Sequence, residues 1–105
     1  MKKLYYKLVR DKIPDILEEA RVRFSVHQAS GEDLRSYALE KLQEEVQEFI
    51  TNPCGAEAAD ILEILYFICE LEEIGPKMVM AEKTAKRVSN GSFDRGLILE
   101  WTDDE

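Results

Sequence analysis

The sequence is poor in the residues that many catalytic centres use. Its 105 residues include one histidine, His27, and two cysteines, Cys54 and Cys69. A lone histidine outside the helical stretches excludes a di-iron bundle, which takes a Glu-x-x-His turn from each of two helices. Ser–His–Asp and Cys–His catalysis have no supporting arrangement either. The cysteines form no C-x-x-C pair and no disulfide framework, so a reduced intracellular chain with Cys69 packed on a helix is expected. No Gly-rich phosphate loop of the Walker type is present. The longest apolar run, Ile61–Cys69, contains Glu63 and is far shorter than the roughly 20 residues of a membrane span. Met1–Arg10 is charged and lacks the apolar stretch of a signal peptide, so the expected location is cytoplasmic. Positive charge is also scarce: 14 Lys and Arg stand against 22 Asp and Glu, a net charge of −8. Such a chain repels nucleic acid and anionic membrane, and neither is an expected partner. A phosphate ligand is repelled too, unless a metal cation or a local basic cluster inverts the field.

What is present is helical periodicity. Pro14, following Asp11 as a cap, predicts a short helix over Ile13–Arg21. Leu39, Leu42, Val46, Phe49 and Ile50 recur at helical spacing and predict a helix over Leu34–Thr51. Asn52-Pro53-Cys54-Gly55 breaks the chain. Ala56–Ile74 reads as a second long helix stopped by Gly75-Pro76, and Lys77–Val88 as a third. Val22–His27 alternates apolar and polar residues, as a short strand or extended link does, and Phe93–Trp101 reads as a strand after an Asn90-Gly91 turn. Thr102–Glu105 is expected to fray. The expected class is all-α: an antiparallel bundle of four to five helices with a small β element from the C-terminal strand. At this length a lone monomer is marginal, so an oligomer is expected.

The acidic residues stand out by where they fall on the helical wheel. Glu44-Glu45-Val46-Gln47-Glu48 is an E-E-x-x-E pattern, weak by itself because solvated faces often carry it. Glu45 borders the apolar stripe between Leu42 and Phe49, and Glu48 lies one turn on. Glu44 points more nearly away. On the next helix, Glu57 and Asp60 fall among Ile61, Ile64, Phe67, Ile68 and Leu71, and Glu63 lies at the edge of that arc. An unpaired carboxylate on a buried face costs several kcal/mol, so it needs a cation or a proton. The helix dipole accounts for Glu57 near its N-terminus, but not for Asp60. Antiparallel packing brings the two acidic sets together across a seam whose faces carry no basic residue except Lys41. All-oxygen ligands suit Mg²⁺, with Mn²⁺ as the alternative. Salt-bridged structure is the competing reading.

Basic residues cluster twice: Lys7, Arg10 and Lys12 near the start, and Lys83, Lys86 and Arg87 followed by Arg95. Either set suits phosphate oxygens, or pairs with neighbouring acids such as Asp11, Glu82 and Asp94. Tyr5, Tyr6, Phe93 and Trp101 serve equally as base-stacking residues or as core, and core is the expectation.

Four segments in order resemble the all-α nucleoside triphosphate pyrophosphohydrolase superfamily, the MazG-like and phosphoribosyl-ATP pyrophosphohydrolase-like proteins. They are KLVRDKIP at Lys7–Pro14, KLQEEVQEF at Lys41–Phe49, EAADILEIL at Glu57–Leu65, and Lys86 through NGSFDRGLIL to Leu99. The resemblance implies Mg²⁺-dependent hydrolysis of a nucleotide to its monophosphate and pyrophosphate, by a homodimer or dimer of dimers. Glu44, Glu45, Glu48, Glu57 and Asp60 resemble the metal ligands. Glu45 or Glu48 would orient or deprotonate the attacking water, and Lys86 would touch phosphate. Lys7, Arg10, Lys83, Arg87, Asn90 and Arg95 are the remaining candidate substrate contacts. Asn90 stands where similar proteins often have arginine, which shifts weight to Arg87 or Arg95. A nucleotide-binding module without activity and a plain helical interaction domain are the rival classes.

Overall fold

Every strongly periodic stretch folds as helix. A computed structural model describes residues 1–104, in which four α-helices form: α1 (Ile13–Glu19), α2 (Gly31–Thr51), α3 (Gly55–Leu71) and α4 (Pro76–Asn90). They divide between two compact units, Met1–Glu73 with α1 to α3, and the residues from Ile74 onward with α4.

Pro14 lies in the first turn of α1, where its missing N–H costs no hydrogen bond. The residue before the helix is Lys12, without a side-chain cap, so Asp11 does not cap it. The helix ends at Glu19, short of Arg21, which takes a left-handed φ of 59°. α2 starts earlier than its apolar pattern, at Gly31. It ends before Pro53, whose ring disfavours helical backbone at Asn52.

α3 stops at Leu71, well before the Gly75-Pro76 signal. Glu73 supplies the left-handed residue at φ 59° that glycine was expected to supply, and this costs a non-glycine residue about 1 kcal/mol. Gly75-Pro76 instead begins α4, with Gly75 before the helix and Pro76 in its first turn.

The expected β element is absent: among the described residues there is no strand. Val22–His27 is irregular. In Phe93–Trp101 the Gly96 N–H donates to the Phe93 carbonyl at 3.0 Å, with Gly96 at φ 59°. That turn consumes the first part of the expected strand, and Leu97–Trp101 finds no neighbour with which to form a ladder. Thr102–Asp104 are irregular as expected, and Glu105 lies outside the described residues.

In the first unit α2 packs along α3. The pair is antiparallel: Arg35, early on α2, bonds Glu72 just past α3, while Glu45, late on α2, lies beside Glu57 and Asp60, early on α3. Ala38 is fully buried on α2, and Ile64 and Cys69 are buried on α3, so the expected packing of Cys69 is observed. The seam is thin, with no large side chain fully buried. Tyr5, Tyr6, Phe93 and Trp101 are all exposed, contrary to their expected place in the core.

Candidate metal centre

The acids lie where the apolar stripes run out. On α2, Ala38, Leu42, Glu45 and Phe49 follow helical spacing down the face turned to α3, and Glu45 is 6% exposed. On α3, Glu57, Asp60, Ile61 and Ile64 continue one face, all buried or half-buried. The hairpin therefore meets through apolar side chains over most of its length and through carboxylates near the connection Asn52–Cys54.

Glu45, Glu57 and Asp60 each place a carboxylate oxygen within 4.8 Å of the others. Lys41 Nζ donates to Glu45 Oε1 at 3.0 Å, while Glu45 Oε2 is buried with no hydrogen-bond partner. Glu57 Oε2 is likewise buried and unpartnered. A desolvated oxygen of a charged carboxylate costs about 1–3 kcal/mol or more when nothing bonds it. Two such atoms beside a third carboxylate make a group that could hold a cation. An octahedral Mg²⁺, with bonds of about 2.1 Å, sets its ligand oxygens at most about 4.2 Å apart. Neighbouring ligands of such an ion stand about 3.0 Å apart, so the three oxygens, now within 4.8 Å of one another, would have to draw together to share it.

The other acids have different surroundings. Glu44 accepts from Lys41 Nζ at 3.0 Å and from Lys7 Nζ at 3.1 Å. Partial burial acts to raise its pKa, but the bonds and charges of Lys41 and Lys7 outweigh it and hold the carboxyl below its ordinary range. Glu44 is thus tied to lysines rather than grouped with the three clustered acids. Lys41 shows the converse: burial pulls its ammonium down, and its bonds to Glu45 and Glu44 carry it above its ordinary value. Glu48 is exposed, and the charge of Glu45, followed by desolvation and the charge of Glu57, pushes its carboxyl up.

The Glu48 shift sets a pH dependence. A carboxyl raised in the folded state favours folding below its unfolded pKa, and that contribution is lost as pH rises through the raised value. At neutral pH the Glu48 charge therefore works against the fold. Glu48→Gln is expected to raise the Tm of the metal-free protein at about pH 7 and to leave it unchanged at about pH 3, where both side chains are neutral. Thermal melts at the two pH values check this.

The basic residues near the start reach the same region. Arg10 donates to Asp60 Oδ1 at 2.8 Å and lies 3.9 Å from Glu63, while Lys7 holds Glu44. Their partners are on α2 and α3, not the adjacent Asp11. Lys83, Lys86, Arg87 and Asn90 lie exposed on α4, and Arg95 in the turn that follows, all within the second unit. Lys41 is the residue that sequence reasoning undervalued. Its spacing of i, i+3 and i, i+4 to Glu44 and Glu45 was the available signal.

Compared with known proteins, the chain matches no family model, no curated protein and no solved structure.

Proposed function

We propose that this chain is a Mg²⁺-dependent nucleoside triphosphate pyrophosphohydrolase, of the all-α superfamily its four motifs resemble. It hydrolyses a nucleotide to the monophosphate and pyrophosphate and serves to clean the nucleotide pool. The observation that carries this reading is the pair of buried, unpartnered oxygens on Glu45 and Glu57 beside Asp60. A cation held there would give both oxygens the partner they lack.

Glu45, Glu57 and Asp60 would hold the ion. When bound, it neutralises triphosphate charge and acidifies a water. Glu48, exposed and raised by its acidic neighbours, would take a proton from the attacking water. Glu45 suits that task less well, since it is buried and tied to Lys41. Roles for Lys83, Lys86, Arg87, Asn90 and Arg95 at phosphate rest on the resemblance alone. A homodimer or dimer of dimers belongs to the proposal, because Val46, Ile50, Leu62 and Tyr66 leave apolar surface exposed on α2 and α3 that a second copy would cover.

A panel of nucleoside and deoxynucleoside triphosphates with Mg²⁺, read by pyrophosphate release, tests the activity. Release dependent on Mg²⁺ supports it. A nucleotide-dependent rise in Tm without release selects the second reading, a binding module of the same fold, which Asn90 in place of the common arginine favours. Neither response leaves an interaction domain.

A further inference from the structure

One irregular segment supplies two of the cations that face the acidic hairpin. Residues 1–12 form neither helix nor strand. Tyr6 within them is 71% exposed and has a left-handed φ of 44°, an unfavourable conformation for a non-glycine residue. Next in sequence, Lys7 binds Glu44; Arg10 binds Asp60 and approaches Glu63. Lys41 is the third cation, but its backbone is fixed in α2 and its side chain is only 18% exposed. Arg10 is freer: its side chain is 56% exposed, and the backbone hydrogen bonds that tie its segment to α1, at the Arg10 and Lys12 carbonyls, leave the guanidinium free to swing.

We propose that Arg10 is a displaceable counter-ion of the acidic site, and that residues 1–12 form a strap which a divalent cation unfastens. This rests on the metal reading above. Asp60 is at once Arg10's partner and a member of the Glu45–Glu57–Asp60 cluster, so docking of the strap and cation binding draw on one carboxylate. A half-exposed ion pair shifts an equilibrium by only about two- to fivefold, so Arg10 weakens cation binding without preventing it. Linkage makes the effect reciprocal: by the factor that the strap lowers cation affinity, the cation lowers strap docking. Release of the left-handed Tyr6 favours the same direction. The freed guanidinium and the Lys7 ammonium then present phosphate-binding groups beside a cation-loaded site, and the planar guanidinium suits two phosphate oxygens at once.

The test is Mn²⁺ titration of the full chain without nucleotide, followed by electron paramagnetic resonance, on wild type, Arg10→Gln and Lys12→Gln. Arg10→Gln is expected to bind Mn²⁺ about two- to fivefold more tightly than wild type. Lys12→Gln removes the same charge from the same segment and is expected to change affinity less. A second readout needs no variant: trypsin cleavage after Lys7 and Arg10 should accelerate as Mn²⁺ saturates the wild-type protein. Equal or weaker Mn²⁺ binding by Arg10→Gln, an equal gain from Lys12→Gln, or cleavage that Mn²⁺ leaves unchanged overturns the strap. Absence of Mn²⁺ binding in all three proteins overturns the metal reading and the strap with it.

Discussion

Asp60→Asn is expected to lower Mg²⁺-dependent pyrophosphate release by about 10²–10³-fold, the range found when one preorganised electrostatic group is removed from a reaction site. The change is nearly isosteric, yet it removes one of three clustered charges and leaves a neutral amide oxygen, a weaker ligand for Mg²⁺ than a carboxylate. The fold should tolerate it. Asp60 is 36% exposed, and its pair with Arg10 is of the exposed kind worth about 0–1 kcal/mol. Unfolding followed by circular dichroism should therefore show a Tm within a few degrees of wild type. Two outcomes discriminate. Full turnover in the variant would sink the metal site, because a ligand cannot be dispensable. Loss of turnover together with loss of helical signal would show that Asp60 is structural. Arg10→Gln separates a further possibility, since it breaks the same ion pair while keeping all three carboxylates.

The parts of the fold legible from sequence are those set by local periodicity. α2 and α3 emerge because apolar residues at helical spacing need only one another and a turn, and Pro53 marks that turn unambiguously. The carboxylates on the seam were legible for the same reason: a wheel shows which residues share a face. It does not show depth. On the wheel Glu57 and Asp60 fall inside the apolar arc while Glu45 only borders its stripe, yet Glu45 is 6% exposed and the Asp60 side chain 36%. What depends on distant chain was not legible. The alternation at Phe93–Trp101 has the right period for a strand, but a strand exists only with a neighbour. Glu73 took the left-handed residue that Gly75 was expected to provide, a choice made by the path of the chain rather than by propensity. Arg10 and Lys7 read as phosphate contacts or as partners of nearby acids. Their actual partners lie on α2 and α3, a pairing that no local rule predicts.

Glu57→Gln should separate the role of charge in folding from its role in cation binding. Two terms of opposite sign decide the metal-free protein. Glu57 lies in the first turn of α3, where the helix dipole favours a negative side chain by about 0.3–1 kcal/mol. Against this stands a buried oxygen without a partner, beside Glu45 and Glu48, which costs about 1–3 kcal/mol. The second term is larger, so the variant is expected to be more stable than wild type by about 1 kcal/mol, or about 4–8 °C in Tm for a domain of this size. With metal the order reverses. A ligand at 100 times its Kd stabilises by about 2.7 kcal/mol, so saturating Mg²⁺ should raise the wild-type Tm by about 10 °C or more. Removing a ligand charge weakens binding by about 10²-fold, at the upper end of what second-shell changes cost, and the variant at the same Mg²⁺ concentration gains only about 0.4 kcal/mol. The melting curves of the two proteins should therefore exchange order between chelator and Mg²⁺. A variant that melts below wild type in chelator would mean that Glu57 serves the helix dipole rather than a cation. A variant that gains as much from Mg²⁺ as wild type would mean that the ion binds elsewhere. The exchange of order is the result that a cation shared by Glu45, Glu57 and Asp60, as proposed, would produce.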